Sequence, residues 1–260
     1  MRLLSGTLWG FFTISAAHAD APRDIDYALY QQSARFQILP KYQAVWGSRD
    51  SFSHELSVDA SARYWEKNVL RLGYDRLSRS YASTEALNDH IFRVGHVTTL
   101  TSYLYLDAEG AYSHDPHFSA EWKGILDLHG ILPEGSDIGL AVTGAHYSNS
   151  NSISLKPSWS KEFTDQVLIG LSSTIALKPN RAVAASAFAR FRFTSRWSTR
   201  LSVGGGKTDD GGGIIARFFE VGGTVGYFVC KPFELSIGGA LYNANNRDEY
   251  RLSPALNLIF

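Results

Sequence analysis

The sequence predicts an all-β fold, a closed antiparallel transmembrane β-barrel of about 14 strands, with 12 as the alternative count. Three observations carry this. Apolar and polar residues alternate with a period of two nearly to the last residue. The alternating runs reach the roughly 9–11 residues that a tilted strand needs to cross a bilayer, against about 5–6 in soluble sheets. Aromatic residues gather at the ends of the runs, among them Trp46, Tyr64, Trp65, Tyr112, Phe118, Trp159, Phe163, Trp197, Phe233, Tyr242 and Tyr250, as interfacial girdles require.

The alternation is plainest from Phe52 to Tyr64, where His54, Leu56, Val58, Ala60 and Ala62 interleave with Ser53, Glu55, Ser57, Asp59, Ser61 and Arg63. A helix would scatter this pattern around its circumference, whereas a strand sends it to two faces. The same reading gives strands at roughly 34–46, 51–64, 69–78, 90–98, 102–112, 118–130, 137–147, 152–162, 166–177, 183–193, 198–205, 215–229, 233–242 and 250–260. Turn signals separate them, such as Gly47-Ser48-Arg49-Asp50, Ser113-His114-Asp115-Pro116, Pro133-Glu134-Gly135-Ser136 and Asn149-Ser150-Asn151. These spacings leave no room for crossover helices, so neighbouring strands are antiparallel. In lipid only a closed sheet satisfies every backbone polar group.

Composition narrows the function. Twenty-five basic residues balance 25 acidic ones, so there is no electrostatic footprint for nucleic acid. The single cysteine, Cys230, excludes an internal disulfide framework and a cysteine-based zinc site. No apolar run of about 18 residues follows the N-terminus, which excludes transmembrane helices. Met1 to Ala19 reads as a secretory signal, with Arg2, an apolar core from Leu3 to Ile14, and Ala17-His18-Ala19 fitting the small-x-small cleavage rule. Residues 20–33 then form a periplasmic segment and 34–260 the barrel. With the N-terminus in the periplasm, the tight turns near 65–68, 163–165, 194–196 and 230–232 fall on the periplasmic side. The longer connections at 81–89, 206–213 and 243–249 fall outside, which is the expected asymmetry.

The chain closes on Tyr250-x-Leu252-x-Pro254-x-Leu256-x-Leu258-x-Phe260. A terminal aromatic on an alternating last strand resembles the insertion signal of bacterial outer-membrane barrels. It implies that Phe260 is read by the barrel-assembly machinery and that outer-membrane lipids surround the protein. The stretch Ala108-Glu109-Gly110-Ala111-Tyr112-Ser113-His114-Asp115-Pro116-His117-Phe118 resembles the YaiO family of outer-membrane barrels. Leu132-Pro133-Glu134-Gly135, the strand from Gly139 to Tyr147, and the Gly204-to-Asp210 stretch are also similar. The resemblance spans about residues 34–260. It implies an outer-membrane location and a link to surface-polysaccharide export, with no catalytic residues to transfer.

The polar faces supply candidates to line the lumen: Glu55, Asp59, Arg63, Arg71, Asp107, Glu109, Glu121, Lys123, Asp127, Lys156, Arg190 and Arg192. Acids dominate the early strands, with Asp75 beside those named, and bases the later ones, with Arg200 and Arg251. Arg93 and Glu234 also fall on this face, against that trend. Such charges either pair and fill the interior or face water, because hydrocarbon cannot satisfy them. The reading is therefore a narrow pore for a small solute, or an accessory of polysaccharide export, without cofactor or metal and without enzyme activity.

The alternative is a barrel enzyme acting on lipid or peptide at the outer rim, for which His54 and His146, with Ser148 and Ser150 nearby, are the candidates. His114-Asp115 with His117 is a turn sequence without diagnostic metal spacing. The Gly204-Gly205-Gly206-Lys207-Thr208 run lacks the spacing and following helix of a phosphate loop.

Overall fold

The computed structural model describes residues 36–47, 51–65, 68–81, 86–209, 215–230, 233–244 and 247–259. The secretory signal, the segment 20–33 and Phe260 lie outside the described residues. Fourteen strands follow in chain order: β1 Phe36–Gly47, β2 Ser51–Trp65, β3 Asn68–Tyr81, β4 Leu87–Thr101, β5 Leu104–Ser113, β6 Trp122–Ile131, β7 Ser136–Tyr147, β8 Ser150–Thr164, β9 Val167–Lys178, β10 Ala182–Arg192, β11 Trp197–Asp209, β12 Ile215–Cys230, β13 Phe233–Ala244 and β14 Arg247–Ile259. Each pairs antiparallel with its sequence neighbour, and β1 pairs with β14, so the sheet closes into a barrel with no free edge.

Both barrel termini lie at one end with the short connections, such as 102–103 and 165–166 (the turn end). The connections 82–86, 114–121 and 210–214 lie at the other (the loop end). The short turn-end connections agree with the sequence reading. The longer connection expected at 243–249 does not form, because Asn243 pairs with Asp248 and Ala244 with Arg247, and 114–121 is a long connection instead.

The alternation sorts cleanly in three dimensions. Leu56, Leu72, Phe92, Val94, Leu126, Leu140, Leu171, Leu201, Ile237 and Leu241 stand on the outer face and are exposed. Their neighbours Ser57, Asp75, Asp137, Ser160, Glu220 and Arg251 point inward and are buried. An apolar exterior around a polar interior inverts the packing of a soluble sandwich. Near the turn end, buried Val69, Val97 and Tyr105 form an apolar cluster with Ile131.

Two expectations change. The sixth strand starts at Trp122, not at 118, because residues 114–121 leave the sheet and fold inward. Asp115 turns the chain there with φ +48°, a left-handed conformation that aspartate tolerates better than most residues. Phe118 therefore sits inside, 6% exposed, and Tyr242 faces inward by its register on β13, 3% exposed, instead of in the aromatic girdles. Trp46, Tyr64, Phe163, Trp197, Phe233 and Tyr250 do stand exposed on the outer face.

If the outer face meets lipid, a charge at mid-strand is costly. Leu126→Arg is expected to lower unfolding free energy by about 2–4 kcal/mol in lipid vesicles, whereas the same change at the rim residue Trp122 costs about 0–1 kcal/mol. Urea titrations of the two variants check this.

Candidate functional site

The barrel interior holds the chemistry. On β1–β5 the inward charges form a ladder that runs around the wall. Arg93 of β4 lies between two carboxylates, 2.8 Å from Asp59 Oδ1 of β2 and 2.7 Å from Asp75 Oδ1 of β3. Its Nε also donates to Asp75 Oδ2 at 2.8 Å, and Ser57 Oγ donates to Asp75 Oδ1 at 2.7 Å. Lys41 of β1 stands 3.9 Å from Asp59. Arg71 of β3 pairs with Asp107 and Glu109 of β5.

The ladder lies flat because the residues beneath it are glycines. A Cβ at Gly73 would meet Arg93 Cζ and Asp59 Oδ1 at 2.8 Å each, and one at Gly95 would meet the Arg71 guanidinium at 3.0 Å. Each glycine is thus a slot on which a neighbouring strand's long side chain rests. The slots let these side chains lie against the wall. Lys41 and Asp59, although inward-facing, keep 34% and 28% of their side-chain surface exposed.

The ladder continues at the turn end. Asp107 and Asp127 face each other directly across β5 and β6, a like-charge pair that needs cations on both sides. Arg71 serves Asp107, and His129 serves Asp127 at 3.0 Å from Nε2. The other ring nitrogen of His129 lies 2.8 Å from Asp137, whose second oxygen accepts from Tyr105 Oη at 2.9 Å. The Asp137 contact is a hydrogen bond, and the Asp127 contact is an approach at ion-pair distance. Tyr105 stacks on the ring, 4.6 Å between centroids, and Gly139 is the slot that holds it.

At the loop end the 114–121 connection folds into the barrel mouth and is held by Asp89. This fully buried carboxylate accepts from the backbone N–H of His117 (2.8 Å), Phe118 (3.0 Å) and Ser119 (2.7 Å), and from Ser119 Oγ (2.7 Å). The Arg79 guanidinium lies 4.1 Å over the Phe118 ring. Across the mouth, Arg251 stacks on Tyr242 and meets Glu249 at 2.7 Å and Glu220 at 3.6 Å.

Of the residues named from sequence, Glu55, Asp59, Arg63, Arg71, Asp107, Glu109, Lys123, Asp127, Lys156, Arg190 and Arg192 occupy inward positions by strand register. Glu121 does not. It precedes β6, and its carboxylate turns to His146 on the outer face, 3.7 Å from Nε2. Sequence reasoning missed Asp89, Arg79, His129 and Asp137. Extending the β4 alternation from Arg93 back through Ile91 reaches Asp89, so that one was within reach.

The rim histidines are engaged without serine partners. Asn151 lies 2.7 Å from His146 Nδ1, and His54 stacks among Tyr42 and Phe52. Among the described residues, no group of three His, Cys, Asp or Glu side chains is placed to hold a metal ion. A hollow of about 550 Å³ lies on the outer face, lined by Gly110, Gly124 and Gly144, with Gly95 and Glu109 of the ladder strands also in its wall.

Solved structures share this fold. The TodX monoaromatic hydrocarbon channel superposes with a TM-score of 0.57 at 9% identity, covering 87% of this chain and 90% of its own. The translocator domain of the autotransporter NalP from Neisseria meningitidis gives 0.54 at 9%, covering 98% and 100%. The Acinetobacter baumannii outer membrane protein Omp33 gives 0.54 at 13%, covering 87% and 99%. No protein-family model and no curated protein matches the sequence. The chain therefore has the fold of outer-membrane β-barrels, and these identities speak to the fold alone.

Removing the Asp89 carboxylate frees the loop. Hydrogen bonds to a charged group are worth about 1.5–3 kcal/mol, so Asp89→Ala is expected to speed proteinase K cleavage within 114–121 by about tenfold or more, with cleavage sites mapped by mass spectrometry.

Proposed function

We propose that this protein is an outer-membrane pore that conducts small polar solutes, with the loop end facing outward. The observation that carries the reading is the flat lumen ladder. Its ion pairs join strands one or two apart along the wall, as with Arg93 to Asp59 and Asp75, and the glycine slots beneath them let these side chains lie against the wall. Small barrels of about 8 strands are filled by their side chains, whereas those of about 16–18 strands enclose an aqueous channel. Fourteen strands with wall-hugging charges fall on the channel side of that range.

The inward 114–121 loop narrows the mouth, so selection takes place there and along the wall. The reading assigns the barrel a conducting role and gives the rim histidines no catalytic part. Kinship with the YaiO family and an accessory part in polysaccharide export belong to the same proposal. The support is the resemblance around Ala108–Phe118, and such a lumen would pass short sugars. Release at the outer membrane after signal cleavage near Ala19 completes it.

Single-channel recording of refolded residues 20–260 in planar bilayers tests the reading. Steady, reproducible openings are expected. A barrel that is folded and heat-modifiable yet silent would contradict it.

A further inference from the structure

The two sides of the lumen differ in chemistry. On β1–β7 the charges alternate in sign and meet one another. On β8–β11, among the described residues, the inward face carries Lys156, Arg190, Arg192 and Arg200, with Glu162 as its carboxylate. Arg190 sits directly opposite Arg200 across β10 and β11. Like charges in that position repel, and nothing in backbone pairing demands them.

Phe188 lies flat over Gly170, where a Cβ would meet its ring at 2.2 Å, and the Arg200 guanidinium stacks over that ring at 3.7 Å. An aromatic plate thus fixes one planar fork in the wall. Next to it runs a hydroxyl row, Ser158–Ser172–Ser186, with Ser172 and Ser186 hydrogen-bonded at 2.8 Å.

We propose that this wall binds a carboxylate-bearing, hydroxyl-rich solute of the acidic-sugar class in transit. Arg190 and the stacked Arg200 take the carboxylate, and the serine row exchanges hydrogen bonds with the solute's hydroxyls. Guanidinium forks match a carboxylate in two parallel bonds, while serine hydroxyls both donate and accept. The excess of positive charge on one wall also draws anions into the lumen. The inference rests on the pore reading for its meaning but not for its test.

Calorimetric titration of the folded barrel in detergent with sodium glucuronate, glucose or sodium acetate measures binding without requiring conduction. Glucuronate is expected to bind at least about tenfold more tightly than either control, since glucose lacks the carboxylate and acetate lacks the hydroxyls. Arg190→Gln with Arg200→Gln should remove that preference, while Arg190→Lys with Arg200→Lys restores it only in part. Circular dichroism and heat-modifiability confirm that the variants fold, and Ser172→Ala gives a milder change should the double variant fail to do so. Glucuronate binding no better than acetate or glucose, or binding unchanged in the glutamine variant, would overturn the proposal. Glucuronate binding to a barrel that is silent in bilayers would uphold the site and overturn the pore instead.

Discussion

A charged side chain inside a membrane barrel has to find a partner without reaching for the axis, and the Arg93 junction shows how this chain achieves it. One guanidinium spans three strands by lying across Gly73 and joins Asp59, Asp75 and Ser57. A methyl group at residue 73 would come within 2.8 Å of the guanidinium carbon, closer than side chains tolerate. The same device recurs where Arg71 lies over Gly95 and His129 over Gly139. Isolated charges here would face a large desolvation cost, and paired charges projecting inward would fill the space. The slots resolve that conflict, so the polar network stabilises the wall and leaves room beside it.

The electrostatics then divide the molecule. The β1–β7 wall meets its own charge, with acids and bases in alternation and the Asp107–Asp127 contact held between Arg71 and His129. The β8–β11 wall concentrates guanidinium and hydroxyl groups around an aromatic plate. In the proposed pore, the excess of positive charge on this second wall would draw an anion toward β10 and β11. The Asp89-anchored loop sits in the mouth at the loop end.

Most of the architecture was legible from period two alone. The strand count and the order of the elements follow from alternation and turn residues, because in lipid the outer face must be apolar at every second position. Inward positions such as Asp59, Arg71 and Arg190 follow from the same parity. What parity misses is any departure from the sheet. Phe118 and Tyr242 have the composition of girdle residues, yet they lie inside, since the left-handed turn at Asp115 carries one inward and register places the other on the inner face of β13. Glu121 has lumen parity with Lys123, but it precedes the strand and turns to His146. The pairing of charges was also hidden, because it depends on which strands stand side by side and which glycines lie between them. No local pattern announces that Gly73 is the seat of Arg93.

The central claim is that water fills the space beside these wall-bound charges. Substituted-cysteine labelling tests it most directly. Cys230 is exposed and is first replaced by serine. Cysteines are then placed at Thr143 and Ser172 on the inner face and at Leu126 on the outer face, in barrels reconstituted into lipid vesicles. A charged, water-borne methanethiosulfonate reagent is expected to modify the two inner sites quickly and to leave the outer one unmodified. Inner sites as unreactive as Leu126→Cys would mean that side chains close the lumen, and the account would be wrong.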